Sequence, residues 1–143
     1  IASEPFLEDE LCFCCAPGHP LARGRSIAPE RLSKERIVIR ESGSATRATM
    51  EAHLNRRGVS FPHFMELGSV EAIKQVVMAG LGIGYFSALT VCNEISAGWL
   101  VRLRVSGLTA GRAFYIVRHR LKKETPMLAA FIAFAKQWQP RAD

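Results

Sequence analysis

Three short segments place small hydroxyl residues where a strand pattern gives way to a helix pattern: Ser42-Gly43-Ser44, Gly68-Ser69 and Phe86-Ser87. The start of a helix leaves backbone N–H groups without intrahelical partners and carries about half a positive charge, so it holds anions well. Serine hydroxyls add direct hydrogen bonds. Gly43 lets the backbone come close to a ligand, and Arg40 and Arg47 flank it with charge. In a parallel α/β sheet such turns share the carboxyl edge of the strands, where ligands bind. Serine at an N-cap is also simply good capping, which suffices to explain any one of the three. Together they fit a cleft for a carboxylate or a phosphate.

Catalytic patterns find less support. Gly43-Ser44 is not followed by the glycine of a nucleophile elbow, and no base is placed beside it. The run Gly80-Leu81-Gly82-Ile83-Gly84 follows a helix pattern and precedes a strand, the reverse of a dinucleotide fingerprint. His19, His53, His63 and His119 lack metal-ligand spacing; His19 and His53 read as structural or surface residues. Cys12, Cys14, Cys15 and Cys92 read as small buried hydrophobes in a reducing compartment. No catalytic residue, metal or cofactor is expected.

Those turns need a scaffold, and the chain is long enough for one: 143 residues allow one domain, or one and part of another. With 48% hydrophobic and 22% charged residues, it is neither a disordered tail nor a disulfide-dense mini-protein. The uncharged apolar stretch from Ala79 to Cys92 is too short for a membrane helix, which needs about 20 residues. Residues 1–10 are acidic and apolar by turns, with no basic run before an apolar one, so they do not read as a signal peptide, and the chain reads as a piece of something longer. The net charge of +6 comes from scattered residues rather than one basic stripe, so it reads mainly as solvated surface with some attraction for an anionic ligand.

Hydrophobic periodicity orders the elements. Residues 10–16 read as a strand, 18–35 as a basic loop, and Ile37-Val38-Ile39 as a strand buried on both faces. A helix follows to Arg57, stopped by Gly58, with Met50 and Leu54 beside an alanine stripe. Residues 61–67 give a strand. Ser69 then caps a helix carrying Val70, Ile73, Val76 and Val77, with Glu71 in its first turn. Residues 82–86 form the next strand, and Ser87 starts a helix ending at Gly98. Residues 100–105 alternate as a half-wet or edge strand, 106–112 turn, and 113–119 form the last strand. Thr125-Pro126 opens a final helix with an apolar stripe of Leu128, Phe131, Ile132, Ala135 and Trp138; residues 139–143 are polar and expected to fray. This alternation predicts an α/β fold with a parallel-rich sheet, right-handed crossovers and flanking helices.

Four phrases in order resemble the LysR-type transcriptional regulators: Pro17-Gly18-His19-Pro20-Leu21-Ala22, Arg40 to Arg47, Glu66 to Lys74, and Val76 to Gly84. Phe86 to Val91, with Gly98-Trp99-Leu100-Val101, is similar to the regulators of carbon-fixation genes. The resemblance implies an effector-binding (substrate-binding) domain of the type II periplasmic-binding-protein fold, with two α/β subdomains about a hinged cleft. Residues 17–107 would be the second subdomain. Residues 1–16 and 108–143 would be crossing strands and a C-terminal helix belonging to a partial first subdomain. Carried across by motif, the ligand-binding residues are Ser42, Gly43, Ser44, Thr46, Ser69, Phe86 and Ser87, with Arg40 and Arg47 as supporting charge.

The implied partners are a small anionic effector and, in the parent protein, further copies of itself through elements such as residues 44–57 and 61–67. DNA would be gripped only by a winged helix-turn-helix, expected within about 160 residues upstream of Ile1. A cytoplasmic location and no membrane contact follow from the same resemblance. The peroxide-sensing members use a cysteine pair in this half, and this chain has no Cys between Cys15 and Cys92. Two competing readings remain: a fragment of an extracytoplasmic solute-binding receptor of the same fold, and an enzyme on the same architecture, which would need an acid/base pair.

Overall fold

In the computed structural model, residues 1–24, 26–108, 110–121 and 123–138 are described. The expected fraying of residues 139–143 lies outside them. The chain forms two compact units, one of Glu10–Gly111 and one of Ile1–Asp9 together with the chain from Arg112 on.

The larger unit is built on β1 (Ala2–Cys15, shared with the smaller unit), β2 (Ile37–Arg40), β3 (Phe64–Leu67), β4 (Ile83–Ser87) and β5 (Val101–Leu103), in the spatial order β3-β2-β4-β1-β5. β2 runs parallel to both β3 and β4, with Arg40 level with Leu67 and Val38 level with Gly84. β1 is antiparallel to β4 and to β5. The sheet is therefore parallel-rich, with β1 reversed within it. β1 starts earlier than the apolar run suggests because the acidic-apolar alternation of residues 2–9 is itself strand period. β3 is shorter than residues 61–67, since Pro62 has no N–H to contribute to a ladder.

Helices cover both faces. α2 (Ala45–Asn55) buries Met50 and Leu54 against Leu11, Phe13, Ile37, Ile39, Ile83 and Tyr85. Its alanines 45, 48 and 52 stay exposed, because the two longer side chains take the burial. On the other face, α3 (Val70–Met78) and α4 (Ala88–Ser96) bring Ile73, Val77 and Val91 onto Cys12, Cys14, Val38 and Phe86. The region read as a basic loop holds a 3-10 turn, Pro20–Arg23, and the one-turn helix α1, Pro29–Leu32. His19 is structural: its Nδ1 accepts the Leu21 N–H at 3.2 Å.

Strand period sorts the cysteines. Cys15 belongs to the α2 face, while Cys12 and Cys14 share the other, their Sγ atoms 3.8 Å apart. Burial raises the Cys15 thiol to about 11. Cys14 is raised by its contact with Cys12 and by burial. Both are protonated near neutral pH and shielded from reagents.

In the smaller unit, β6 (Ala110–Arg118) pairs with β1, and α5 (Pro126–Gln137) is capped by Thr125, whose hydroxyl accepts the Leu128 N–H at 3.2 Å. Asp9, its side chain fully buried, pairs with Arg112 at 2.7 Å, and Glu4 pairs with Lys136 at 2.7 Å. The helix period is as expected from sequence, but α5 buries none of its residues: Leu128, Ile132 and Ala135 are half-buried, and Phe131 and Trp138 are exposed. The described part of this unit is too small to enclose both a helix face and a strand face.

Two outcomes test this packing. A Cβ on Gly84 would lie 2.3 Å from the buried Phe86 ring, so Gly84→Ala is expected to cost about 1–3 kcal/mol in denaturant unfolding, and Phe86→Leu in the same chain to restore part of it. A thiol reagent applied to the native chain is expected to label the half-buried Cys92 first, with Cys12, Cys14 and Cys15 reacting only after denaturation.

Candidate functional site

β3, β2 and β4 are parallel neighbours, so their carboxyl ends share one rim, and each is followed by a helix whose N-cap is serine: Ser69 for α3, Ser44 for α2 and Ser87 for α4. At a strand spacing of about 4.8 Å, the three helix starts span about 10 Å. The connections from β2 and β4 leave in opposite directions. β2 feeds α2 on one face and on to β3, whereas β4 feeds α4 on the other face and on to β5. Adjacent strands whose helices part in this way leave a crevice between their carboxyl ends, the switch point of the sheet. Ser42, Gly43 and Ser44 stand on one side of it, and Phe86 and Ser87 on the other. Ser69 sits one strand farther out.

The hydroxyls are used differently. Ser69 caps its own helix, accepting the Ala72 N–H at 3.4 Å. Neither the Ser44 nor the Ser87 side chain makes a cap hydrogen bond to its helix. Ser42 and Gly43 are exposed, Ser44 and Thr46 are half-buried, and Ser87 is buried. Gly43 has φ +92°, and a Cβ there would meet nothing within 4 Å, so glycine answers the backbone bend rather than a lack of space. Phe86 is a core residue whose ring lies over Gly84, so what it offers the rim is its backbone.

Arg40 and Arg47 frame the β2–α2 turn, and both are engaged. Arg40 donates from Nε and Nη2 to the two oxygens of Glu41, each at 2.7 Å. Arg47 donates to Glu51 at 2.7 Å, to Glu66 on β3, and to the Arg40 carbonyl at 3.2 Å. Arg47 thus ties the first turn of α2 to β2 and β3. Lys74 does the same for the next pair of helices: buried on α3, it meets Glu71 at 2.9 Å and Glu94 of α4 at 2.7 Å. Burial pulls its pKa down, but the hydrogen bonds to Glu94 and Glu71 outweigh this and hold it above the usual lysine value. These positioning pairs escape sequence reading. The available signal is a lysine four residues after Val70, inside an apolar stripe.

Residues 1–140 match the LysR substrate binding domain family. The chain belongs to that family. A RuBisCO operon transcriptional regulator of Allochromatium vinosum is 38% identical over 134 residues, covering 94% of this chain and 44% of that protein. The HTH-type transcriptional regulator CbbR of Xanthobacter flavus is 42% identical over 121 residues, 83% of this chain and 36% of that one. The LysR domain described here thus spans less than half the length of these curated relatives. The regulatory domain of CcmR from Synechocystis PCC6803, solved in complex with 2-PG, superposes with a TM-score of 0.83 at 29% identity, over 94% of this chain and 65% of that one. The resemblance to LysR effector domains and to carbon-fixation regulators is borne out, as is the type II periplasmic-binding-protein-like α/β fold. These relatives are named as regulators, not enzymes. No helix among the described residues is long and apolar enough to cross a membrane.

The Arg40 guanidinium, with a backbone hydrogen bond at Glu41 itself, lowers the Glu41 carboxyl to about 2. The folded-state value lies below the unfolded one, so the contribution of this pair is present above the ordinary glutamate range and is lost as pH falls towards 2. An NMR titration is expected to place the Glu41 midpoint near 2, and Arg40→Gln is expected to raise it towards the ordinary glutamate range. A midpoint unchanged by that substitution would rule the pair out.

Proposed function

We propose that the crevice between Ser42-Gly43-Ser44 and Phe86-Ser87 is the effector pocket of a LysR-type transcriptional regulator, and that it takes a small anionic metabolite bearing a carboxylate or a phosphate. The observation that carries this reading is the opposite departure of α2 and α4 from neighbouring parallel strands. It brings two helix starts, each with a serine at its N-cap, to one crevice. Thr46, in the first turn of α2, and Ser69, one strand out, extend the polar rim. Arg40 and Arg47 act through the turn: their charge is balanced by glutamates, so they hold Ser42–Ser44 in place more than they attract the ligand.

The complex of the CcmR regulatory domain with 2-PG supports an anionic effector for a domain this similar. In the whole protein, effector binding would favour one arrangement of subdomains and copies over another. That preference would be relayed to an N-terminal winged helix-turn-helix in a cytoplasmic homo-oligomer. The ligand shifts this equilibrium only by its difference in affinity for the two arrangements. Residues 17–107 would form the effector-binding subdomain, with 1–16 and 108–143 belonging to the other. The similarity to DNA-binding regulators favours this reading over a solute receptor.

A thermal-shift and calorimetric panel of carboxylates and phosphates, 2-PG included, tests the proposal. A true effector at a hundred times its Kd stabilises by about 2.7 kcal/mol. Ser42→Ala and Ser44→Ala are each expected to weaken binding by about 1–3 kcal/mol, the range for hydrogen bonds to a charged group. A panel without a ligand, or an affinity indifferent to both substitutions, would remove the crevice from consideration.

A further inference from the structure

α4 starts at the edge of the switch-point crevice, yet few of its side chains seat it on the sheet. Of its nine residues only Val91 is fully buried, with Ala88 and Ile95 half-buried beside it. α3, of the same length, buries Ile73 and Val77 and packs Val70, Val76 and Met78 around them. α4 is therefore the weakly seated member of the two.

Its only charged residue, Glu94, lies in the last turn. The Glu94 Oε1 accepts from the Lys74 Nζ of α3 at 2.7 Å, and its Oε2 is enclosed without a hydrogen-bond partner among the described residues. The Glu94 carbonyl accepts the Trp99 N–H at 2.8 Å and the Leu100 N–H at 3.1 Å, so the same residue fastens the end of α4 to the chain leading into the core at Leu100. Glu71, the other partner of Lys74, is exposed on α3 itself and does not reach α4. Such a tie acts at a distance. Ser87 is buried and held in β4, level with Leu11 of β1. Glu94 lies about 10 Å farther along the helix. A rod fixed at Ser87 and resting on Val91 turns when its far end shifts. The direction of the axis changes, and with it that of the first-turn N–H groups next to the crevice.

We propose that Lys74 and Glu94 are positioning residues for the candidate effector pocket: their pair sets the direction of α4 and thereby the affinity for the anionic effector. This rests on the reading of the crevice as an effector pocket. The two residues act through the helix that starts at Ser87, not by touching the effector. Burial works against the Lys74 charge, but its two carboxylate partners more than restore it, so the tie is present throughout the neutral range. Desolvation cancels most of what such a pair contributes to stability, so positioning and stability can be separated by experiment.

Two variants cut the tie. Glu94→Leu leaves Lys74 paired with the exposed Glu71, and Lys74→Met with Glu94→Leu replaces both charges by apolar side chains of similar size. Both are expected to unfold near the parent's midpoint. Residual dipolar couplings of the backbone N–H groups report the direction of each element without any ligand. Fitted on the sheet, those of Ala88–Ser96 are expected to depart from the parent's values, and those of α2 and α3 to keep them. Calorimetry uses 2-PG and whichever compound of the carboxylate and phosphate panel binds the parent chain most tightly; both variants are expected to bind about fivefold more weakly. The proposal is overturned if α4 keeps its direction in both variants, or if it turns and the affinity stays within about twofold of the parent's. It is also overturned if both variants melt far below the parent, which marks the pair as a support of the fold. A parent chain that binds none of the compounds overturns the effector reading itself, and the role in binding falls with it.

Discussion

The candidate effector pocket depends on the parting of two helices. β2 and β4 lie side by side and run the same way, yet α2 departs from one on one face of the sheet and α4 departs from the other on the opposite face. If both helices left on the same face, one would close the space above the other strand's end. Because they part, the ends of β2 and β4 leave a crevice flanked by backbone donors that have no intrahelical partner. The seven residues carried over by motif divide around that geometry: five flank the crevice, Thr46 supports it from the first turn of α2, and Ser69 stands on the next strand out, with its hydroxyl already committed to its own helix.

Holding that geometry takes packing on both faces and charge pairs at the margins. Strand period sends Leu11, Phe13 and Cys15 to the α2 side and Cys12 and Cys14 to the α3–α4 side, so one β1 strand supplies both cores. The glycine at 84 leaves room for the Phe86 ring to fold back over the strand, which anchors the end of β4 just before Ser87. Arg47 and Lys74 then fix the helices. One binds α2 to β2 and β3; the other joins α3 to α4 from a buried position. Such pairs add little net stability, because desolvation offsets most of the Coulomb attraction.

At the candidate pocket the arginines are balanced by Glu41, Glu51 and Glu66, so the proposed ligand would meet helix ends and hydroxyls rather than unpaired cations. The net charge of +6 does not show this, since it counts the same residues whether or not they are paired.

The order of elements was legible in the residues themselves. Apolar runs such as Ile37-Val38-Ile39, serines before Val70 and Ala88, and Thr125-Pro126 before the last helix mark local states that a few neighbouring residues decide. The serine turns stood out for the same reason, because capping chemistry is local. Other features depended on residues far apart in the chain. Among them are the reversed direction of β1 and the exposure of the alanine side of α2. The same holds for the burial of Phe86, the engagement of Arg40 and Arg47, the role of Lys74, and the bare apolar face of α5. Periodicity says that a side chain has a preferred face, but what covers that face is set by strand order and by which partners are present. The sequence by itself determined a parallel-rich α/β chain with three polar helix starts. Only the tertiary structure decided which of those starts border one crevice, because that depends on the side of the sheet to which each crossover turns.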